Sequence, residues 1–194
     1  MFTELRQKLD EAITYGTIEQ AWQLAEQGLR QSQEKELPAE TEYFKGQIQI
    51  LSGNYERAID CFDRAVQYNP HDGAAFNDRA LCMIELGTID AAFEYFDKGI
   101  EVEPDYATVY HNKGWLLNKI GRYGEAIEYF QKALELEPLR PVTYEGLGNA
   151  LINLSDHAAA KQVYEKALSL LKEEYADIKE QIITEIKLLE NKIK

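Results

Sequence analysis

The sequence predicts an all-α solenoid built from consecutive antiparallel helix pairs. Small, aromatic and helix-breaking residues recur every 34 residues through most of the chain, and a period of this length is typical of repeat proteins. Turn glycines and prolines follow the same step, at positions where a helix has to end. A fixed period with regular helix breaks indicates helix–turn–helix units that stack around one shared core.

Six residue series follow this step in one register. Two of them consist of residues that end a helix. These are Gly53, Gly87, Gly121 and Ser155, and Pro70, Pro104 and Pro138. The other four consist of small residues, which let two helices approach closely, and aromatic residues, which fill the space between units. These are Gly46, Ala80, Gly114 and Gly148; Ala58, Ala92, Ala126 and Ala160; Phe62, Phe96, Phe130 and Tyr164; and Ala65, Gly99, Ala133 and Ala167.

This pattern resembles the tetratricopeptide repeat (TPR) signature, whose first helix carries W-x2-L-G-x2-Y and whose second carries A-x3-F before a closing proline. Residues 110–138, YHNKGWLLNKIGRYGEAIEYFQKALELEP, are close to an idealised copy. The resemblance implies a right-handed superhelix whose first helices line a concave groove. It also implies a scaffold or adaptor that binds other proteins.

The repeat register organises residues 1–194 as one TPR domain. We expect a degenerate N-terminal helix pair over 1–38, TPR units over 39–72, 73–106, 107–140 and 141–174, and a C-terminal capping helix over 175–194. The predicted helices lie near 2–15 and 18–32, 39–52 and 55–68, 73–86 and 89–102, 107–120 and 123–136, and 141–154 and 157–171.

The two ends depart from the regular pattern. The first unit precedes the second by 37 residues, which predicts a three-residue longer connection around Ser32 to Pro38. In the last unit Ser155 replaces the turn glycine and Lys172 replaces the closing proline, which allows the second helix to continue. The apolar stripe of 175–193 predicts a cap with one wet face. The same stripe also suits a coiled-coil or dimer contact.

The TPR resemblance implies which first-helix side chains line the groove. They are Tyr43, Asn77, His111 and Glu145; one helical turn later, Gln47, Leu81, Trp115 and Asn149; and in addition Asn112 and Asn118. Tyr43 and Trp115 would anchor apolar groups of an extended peptide, and the asparagines would hydrogen-bond its main chain. Trp115 is favoured because tryptophan is common at binding hot spots. The alternatives are a Trp115 that only fills a gap between units and asparagines that are simply solvated.

Catalytic motifs are missing from the sequence, which has no Gly-rich phosphate loop, no Cys/His ligand cluster and no nucleophile motif. His111 and Glu145 could meet across neighbouring units as an acid–base or metal pair, although a plain polar contact is the alternative. Cys61 and Cys82 lie in apolar helical stretches and are expected to be buried thiols rather than redox or metal ligands. We therefore expect no enzyme, no cofactor and no metal.

Composition narrows the choice of partner. The formal net charge of −13 disfavours nucleic acid and favours a basic or amphipathic protein partner. No apolar run approaches the roughly 18 residues of a membrane span, and the N-terminus lacks the apolar core of a signal peptide. We expect a monomeric cytoplasmic protein that holds a peptide or helix in its groove. The alternative function is self-assembly through the C-terminal helix or the convex face.

Overall fold

The computed structural model describes residues 2–173 and 175–193 of the chain. Met1, Glu174 and Lys194, which lie at the limits of predicted units, are outside the described residues. Within those ranges all regular secondary structure is α-helical. The helices are α1 (Phe2–Tyr15), α2 (Ile18–Glu34), α3 (Pro38–Leu51), α4 (Tyr55–Tyr68), α5 (Gly73–Glu85), α6 (Ile89–Val102), α7 (Ala107–Lys119), α8 (Tyr123–Leu136), α9 (Pro141–Asn153), α10 (His157–Leu170) and α11 (Ala176–Ile193).

The turns inside the four predicted TPR units all use a left-handed backbone at one repeat position. Gly53, Gly87 and Gly121 have φ angles of +73°, +79° and +85°, and Ser155 has a φ of +63°. Glycine adopts this conformation without a Cβ clash, whereas serine does so at a cost of about 1 kcal/mol. The backbone of the turn is therefore kept even where the glycine is lost.

The three extra residues of the first unit lengthen helix α2 and not the loop that follows it. Helix α2 has 17 residues, against 14 in the corresponding helix α4. Ser32 is buried, and its hydroxyl donates to the carbonyl of Leu29 at 2.9 Å, so the helix continues through it. Pro38 is the first residue of α3. The expected longer connection around Ser32 to Pro38 is thus wrong.

Helix α10 ends at Leu170 and does not continue into the terminal segment. Leu171 has an extended backbone, with φ −71° and ψ 133°, and its side chain is buried. Burying an apolar side chain of this size stabilises the break by about 2 kcal/mol, so no closing proline is required. The chain becomes helical again at Ala176.

Aromatic side chains fill the core where small residues leave room for them. The fully buried phenylalanines are Phe44, Phe62, Phe96 and Phe130. A Cβ atom at Gly46 would lie 2.6 Å from the ring of Phe62, and one at Gly146 would lie 2.5 Å from the ring of Phe130. Such distances are too short for real contacts, so the small residue and the aromatic ring depend on each other.

The chain forms two compact units, an N-terminal unit of residues 1–104 and a C-terminal unit of residues 105–194. In the N-terminal unit each helix from α1 to α6 packs against the next one in sequence. In the C-terminal unit the same holds from α7 to α11, and the first helices α7 and α9 also contact each other. Helix pairs in this order confirm the predicted TPR-type all-α solenoid.

Helix α11 caps the C-terminal unit by packing against α10. Ile182 and Leu189 of the predicted stripe are buried, as a capping role requires. Ile183, Leu188 and Ile193 remain exposed. They are five residues apart, and since each residue turns a helix by about 100°, they point in different directions and form no single seam.

Candidate functional site

In the N-terminal unit, Arg6 of α1 covers the ring of Tyr43. The guanidinium carbon of Arg6 lies 3.6 Å from the ring centroid. Its two terminal nitrogens donate to the carboxylate of Asp72 at 2.9 and 2.8 Å, and Nε donates to Glu40 at 3.1 Å. Tyr43 is therefore only 5% exposed. The Arg6 guanidinium therefore covers the face of the Tyr43 ring that was expected to bind an apolar group of a peptide.

The side-chain amides of Gln47 and Asn77, near Tyr43, hydrogen-bond to the buried carboxylate of Asp78 in the same unit. Gln47 donates to Asp78, Asn77 donates to it at 2.9 Å, and the hydroxyl of Tyr43 also hydrogen-bonds to it. Burial raises the pKa of Asp78 to about 7, although the hydrogen bonds from Asn77 and Tyr43 act in the opposite direction. Leu81, one turn further along α5, is partly exposed.

The two cysteines are buried free thiols, as predicted. Burial raises the pKa of Cys82 to about 12, and it also raises the pKa of Cys61. A thiol with a raised pKa is a poor nucleophile and a poor metal ligand at neutral pH.

His111 of the C-terminal unit is buried among side chains of its own unit. Its Nδ1 atom lies 3.1 Å from the hydroxyl oxygen of Thr143, and its ring centroid lies 5.6 Å from that of Phe130. Burial, and next the positive charge of Arg140, lower the pKa of His111 to about 3. The imidazole is therefore neutral at physiological pH.

The structure gives no support to an acid–base or metal pair of His111 and Glu145. The polar partner of His111 is Thr143, and burial alone raises the pKa of Glu145. Across residues 2–173 and 175–193 no three His, Cys, Asp or Glu side chains come together in a way that could hold a metal ion. No helix in these ranges is long and apolar enough to span a bilayer.

Other predicted groove residues of the C-terminal unit face outward. Trp115 is 38% exposed, while its neighbours Gly114 and Leu116 in α7 are buried. The ammonium of Lys119 lies 4.9 Å from the centroid of the Trp115 ring. Asn149 of α9 is also exposed, whereas Asn112 is partly buried. Trp115 is thus an exposed aromatic residue on a helix whose flanking residues are buried.

Buried and cross-helix contacts fix the orientation of the exposed asparagines. The hydroxyl of the buried Tyr164 donates to the Oδ1 atom of Asn149 at 2.9 Å. Asn153, one turn after Asn149, donates from Nδ2 to the Oδ1 atom of Asn118 at 3.2 Å. This last bond joins α9 to α7. It shows that the stripe of α9 that carries positions 145, 149 and 153 lies beside the stripe of α7 that carries 115 and 118.

We call this surface the α7–α9 face, formed by Trp115, Asn118, Glu145, Asn149 and Asn153. The sequence prediction omitted Asn153, although its spacing of four residues from Asn149 places both on one stripe. It also omitted Arg6. The 37-residue offset of the first unit assigns Arg6 to the same repeat position as Tyr43, so the signal was present in the sequence.

A shallow hollow of about 390 Å³ lies on α2 of the N-terminal unit, lined by Ile18, Glu19, Trp22 and Gln23. Ile18 is 68% exposed, and the indole of Trp22 donates to Glu26 at 3.0 Å. Trp22 lies outside the register of the six repeat series, so the sequence prediction did not include this patch.

Known proteins resemble this chain in sequence pattern and in fold. Models of the tetratricopeptide repeat match residues 45–107, 107–138 and 142–170. No curated protein shows detectable similarity to the sequence. Similar solved structures include TTC0263, a thermophilic TPR protein of Thermus thermophilus, with 18% identity and a TM-score of 0.76 over 95% of this chain and 98% of that one.

Two further solved structures share the fold at low identity. MamA from Desulfovibrio magneticus RS-1 has 20% identity and a TM-score of 0.59, covering 87% of this chain and 93% of its own. YrrB, described as a TPR protein with an unusual peptide-binding site, has 18% identity and a TM-score of 0.57, covering 84% of this chain and 82% of its own. At such identities the likeness establishes the fold alone.

Proposed function

Because the chain belongs to the tetratricopeptide repeat family, we propose that it is a non-catalytic adaptor that binds an extended segment of a partner protein. The binding site is the α7–α9 face. The observation that carries this proposal is the exposed pair of Trp115 and Asn149 on neighbouring first helices. One residue offers an apolar plane and the other offers an oriented amide.

The amide of Asn149 suits the main chain of a peptide. Its Oδ1 atom accepts the hydroxyl proton of Tyr164, which leaves the two N–H groups of the same amide to donate. Within the described part of the chain these N–H groups make no hydrogen bond. An extended peptide offers carbonyl acceptors that no secondary structure of its own occupies. Because the hydrogen bond from Tyr164 already orients the Asn149 amide, this side chain loses little conformational entropy when a peptide binds.

Trp115 is expected to contribute most of the binding energy. Tryptophan side chains bury a large apolar area and are enriched among interface residues whose truncation costs about 2 kcal/mol or more, on the order of a 30-fold change in Kd. The α7 backbone that carries Trp115 is anchored by its buried neighbours Gly114 and Leu116. YrrB, described as having a peptide-binding site, supports peptide binding as a use of this fold.

We further propose that the protein acts as a monomer and that it works in a reducing compartment such as the cytoplasm. The site lies within one C-terminal unit, so a single copy of the chain is sufficient. The thiols of Cys61 and Cys82 are free, which suits a compartment that keeps cysteines reduced.

The experiment is a selection of random linear peptides displayed on phage, with the purified full chain as the target. We expect the wild-type protein to enrich a shared sequence pattern, and the double variant Trp115→Ala, Asn149→Ala to enrich none of it. Tyr68→Ala is the matched control, because it removes an aromatic ring that is 60% exposed on the N-terminal unit. Thermal melts followed by circular dichroism show that each variant is folded.

Two results would contradict the proposal. Enrichment of the same peptides by the double variant would place the site outside the α7–α9 face. Failure of the folded wild-type protein to enrich any peptide would contradict binding of an extended segment.

A further inference from the structure

Glu145 is a partly buried carboxylate that has no cationic partner within residues 2–173 and 175–193. Burial raises the pKa of its carboxyl group, and no cation in the described part of the chain lowers it. Burial, and next the negative charges of Glu185 and Glu145, raise the pKa of the Tyr164 hydroxyl, so Glu145 lies near the group that orients Asn149. Partial removal of a carboxylate from water costs free energy that a bound cation would recover.

The position of Glu145 makes it accessible to the same ligand as Trp115. Glu145 lies one helical turn before Asn149 on α9, and Trp115 lies across from that stripe on α7. Neighbouring helices are about 8–10 Å apart, and one turn is about 5.4 Å long. An extended peptide advances about 3.3 Å per residue. Two of its side chains, a few residues apart, can therefore reach the indole and the carboxylate together.

The N-terminal unit shows how this repeat position accommodates a cation. Arg6 and Tyr43 occupy the position that Glu145 occupies in the last unit. There the chain itself places a guanidinium over an aromatic ring and against the carboxylates of Glu40 and Asp72. The C-terminal unit offers a carboxylate at the same repeat position, and the indole of Trp115 lies one helical turn further along the repeat on α7, with the ammonium of Lys119 4.9 Å from its centroid. No basic side chain within the described ranges pairs with that carboxylate.

We propose that the extended partner segment carries an arginine or lysine that pairs with Glu145, a few residues from an apolar side chain that packs on Trp115. This inference rests on the proposed function of the α7–α9 face. Charge complementarity supports it, because the chain has a net charge of −13 and attracts basic segments over long range. Pairing with one partly desolvated carboxylate then fixes where along the segment the cation must lie.

The first test repeats the phage selection with Glu145→Gln and with Glu128→Gln as the control. Glu128 is exposed on the second helix α8, so the control removes the same charge from the same unit. We expect wild-type protein and Glu128→Gln to enrich peptides with Arg or Lys at one fixed distance from an apolar residue. Glu145→Gln should keep the apolar residue and lose the basic one, and Glu145→Lys should select Asp or Glu in its place.

The second test measures coupling between the two charges. A peptide selected by the wild-type protein is synthesised with its basic residue and with alanine in its place, and both forms are titrated into wild-type protein and Glu145→Gln by calorimetry. We expect the alanine form to bind about ten-fold more weakly to the wild-type protein. The two forms should bind almost equally to Glu145→Gln.

The outcomes separate this inference from the proposed function. If peptides selected with Glu145→Gln keep the fixed basic residue, or if the titrations show no coupling, Glu145 is not its partner and the inference is overturned, while peptide binding at Trp115 stands. If the folded wild-type protein enriches no peptide at all, the proposed function fails first, and this inference fails with it.

Discussion

The two compact units have different side chains at the same repeat positions. In the N-terminal unit these side chains contact and hydrogen-bond to other residues of the unit. Tyr43 lies under Arg6, and Gln47 and Asn77 hydrogen-bond to Asp78. At the repeat position of Gln47 the C-terminal unit has Trp115 and Asn149, which are exposed. At the position of Tyr43 and Asn77 it has the buried His111 and the partly buried Glu145. The repeat register therefore predicts where a first-helix side chain lies, but neighbouring side chains decide whether it is available to a partner.

The largest expected effect is the loss of the ion pair in the N-terminal unit. Arg6→Ala should lower the free energy of unfolding by about 3–5 kcal/mol, because it leaves the carboxylate of Asp72, whose side chain is 2% exposed, without its cation. Urea unfolding in a Trp115→Phe background measures this, since Trp22 then reports on the N-terminal unit alone.

Two controls define this comparison. Arg6→Met combined with Asp72→Asn should recover part of the loss, because the more deeply buried of the two carboxylates that pair with Arg6 is then uncharged. Glu145→Gln, at the corresponding position of the C-terminal unit and followed through Trp115 in a Trp22→Phe background, should change the unfolding free energy by about 0.5 kcal/mol or less. If Arg6→Ala lowers the free energy of unfolding by less than about 1 kcal/mol, the Arg6–Asp72 ion pair does not stabilise the N-terminal unit as expected.

The next effect is a pH dependence that belongs to the N-terminal unit. The pKa of Asp78 is about 7 in the folded chain and 3.8 as a reference value, so the folded state binds this proton more tightly. The carboxyl group contributes its full stabilisation below about pH 4 and loses it as the pH rises through 7. From about pH 5 to pH 8, wild-type protein should lose about 2–3 kcal/mol relative to Asp78→Asn.

Urea unfolding of both proteins, followed through Trp22, gives this difference directly. Other carboxylates titrate in both proteins, so the difference isolates Asp78. Equal pH profiles of wild-type protein and Asp78→Asn would contradict a raised pKa of the Asp78 carboxyl group.

A smaller effect is expected at the turns. Ser155→Gly should raise the free energy of unfolding of the C-terminal unit by about 1 kcal/mol, because glycine adopts a φ of +63° without strain. Gly121→Ser, at the same repeat position, should lower it by a similar amount. Unfolding followed through Trp115 in a Trp22→Phe background measures both variants. A loss of stability in Ser155→Gly would show that the serine side chain has a stabilising role at this turn.

The sequence was sufficient to predict the helix pairs, because each break is marked by a residue with a strong local preference, such as Gly87 or Pro104. The predicted helix ends were wrong where no such residue marks the break. The extra residues near Ser32 extend a helix, since nothing there forces a turn, and α10 stops without a proline because Leu171 is buried.

Availability of the site residues could not be predicted in the same way. Whether Tyr43 is open depends on Arg6, which is far from it in sequence and pairs with Asp72 across 66 residues. Whether the Asn149 amide is oriented depends on Tyr164, which belongs to another helix. Such contacts depend on tertiary structure, and the local pattern around each residue does not contain them.

The most direct measurement follows the emission of Trp115 in the Trp22→Phe variant while a phage-selected peptide is added. If the α7–α9 face is the binding site, the emission changes saturably, with the same Kd that calorimetry gives for this variant. Heat of binding without any change in Trp115 emission would show that the peptide binds elsewhere, and it would contradict the account.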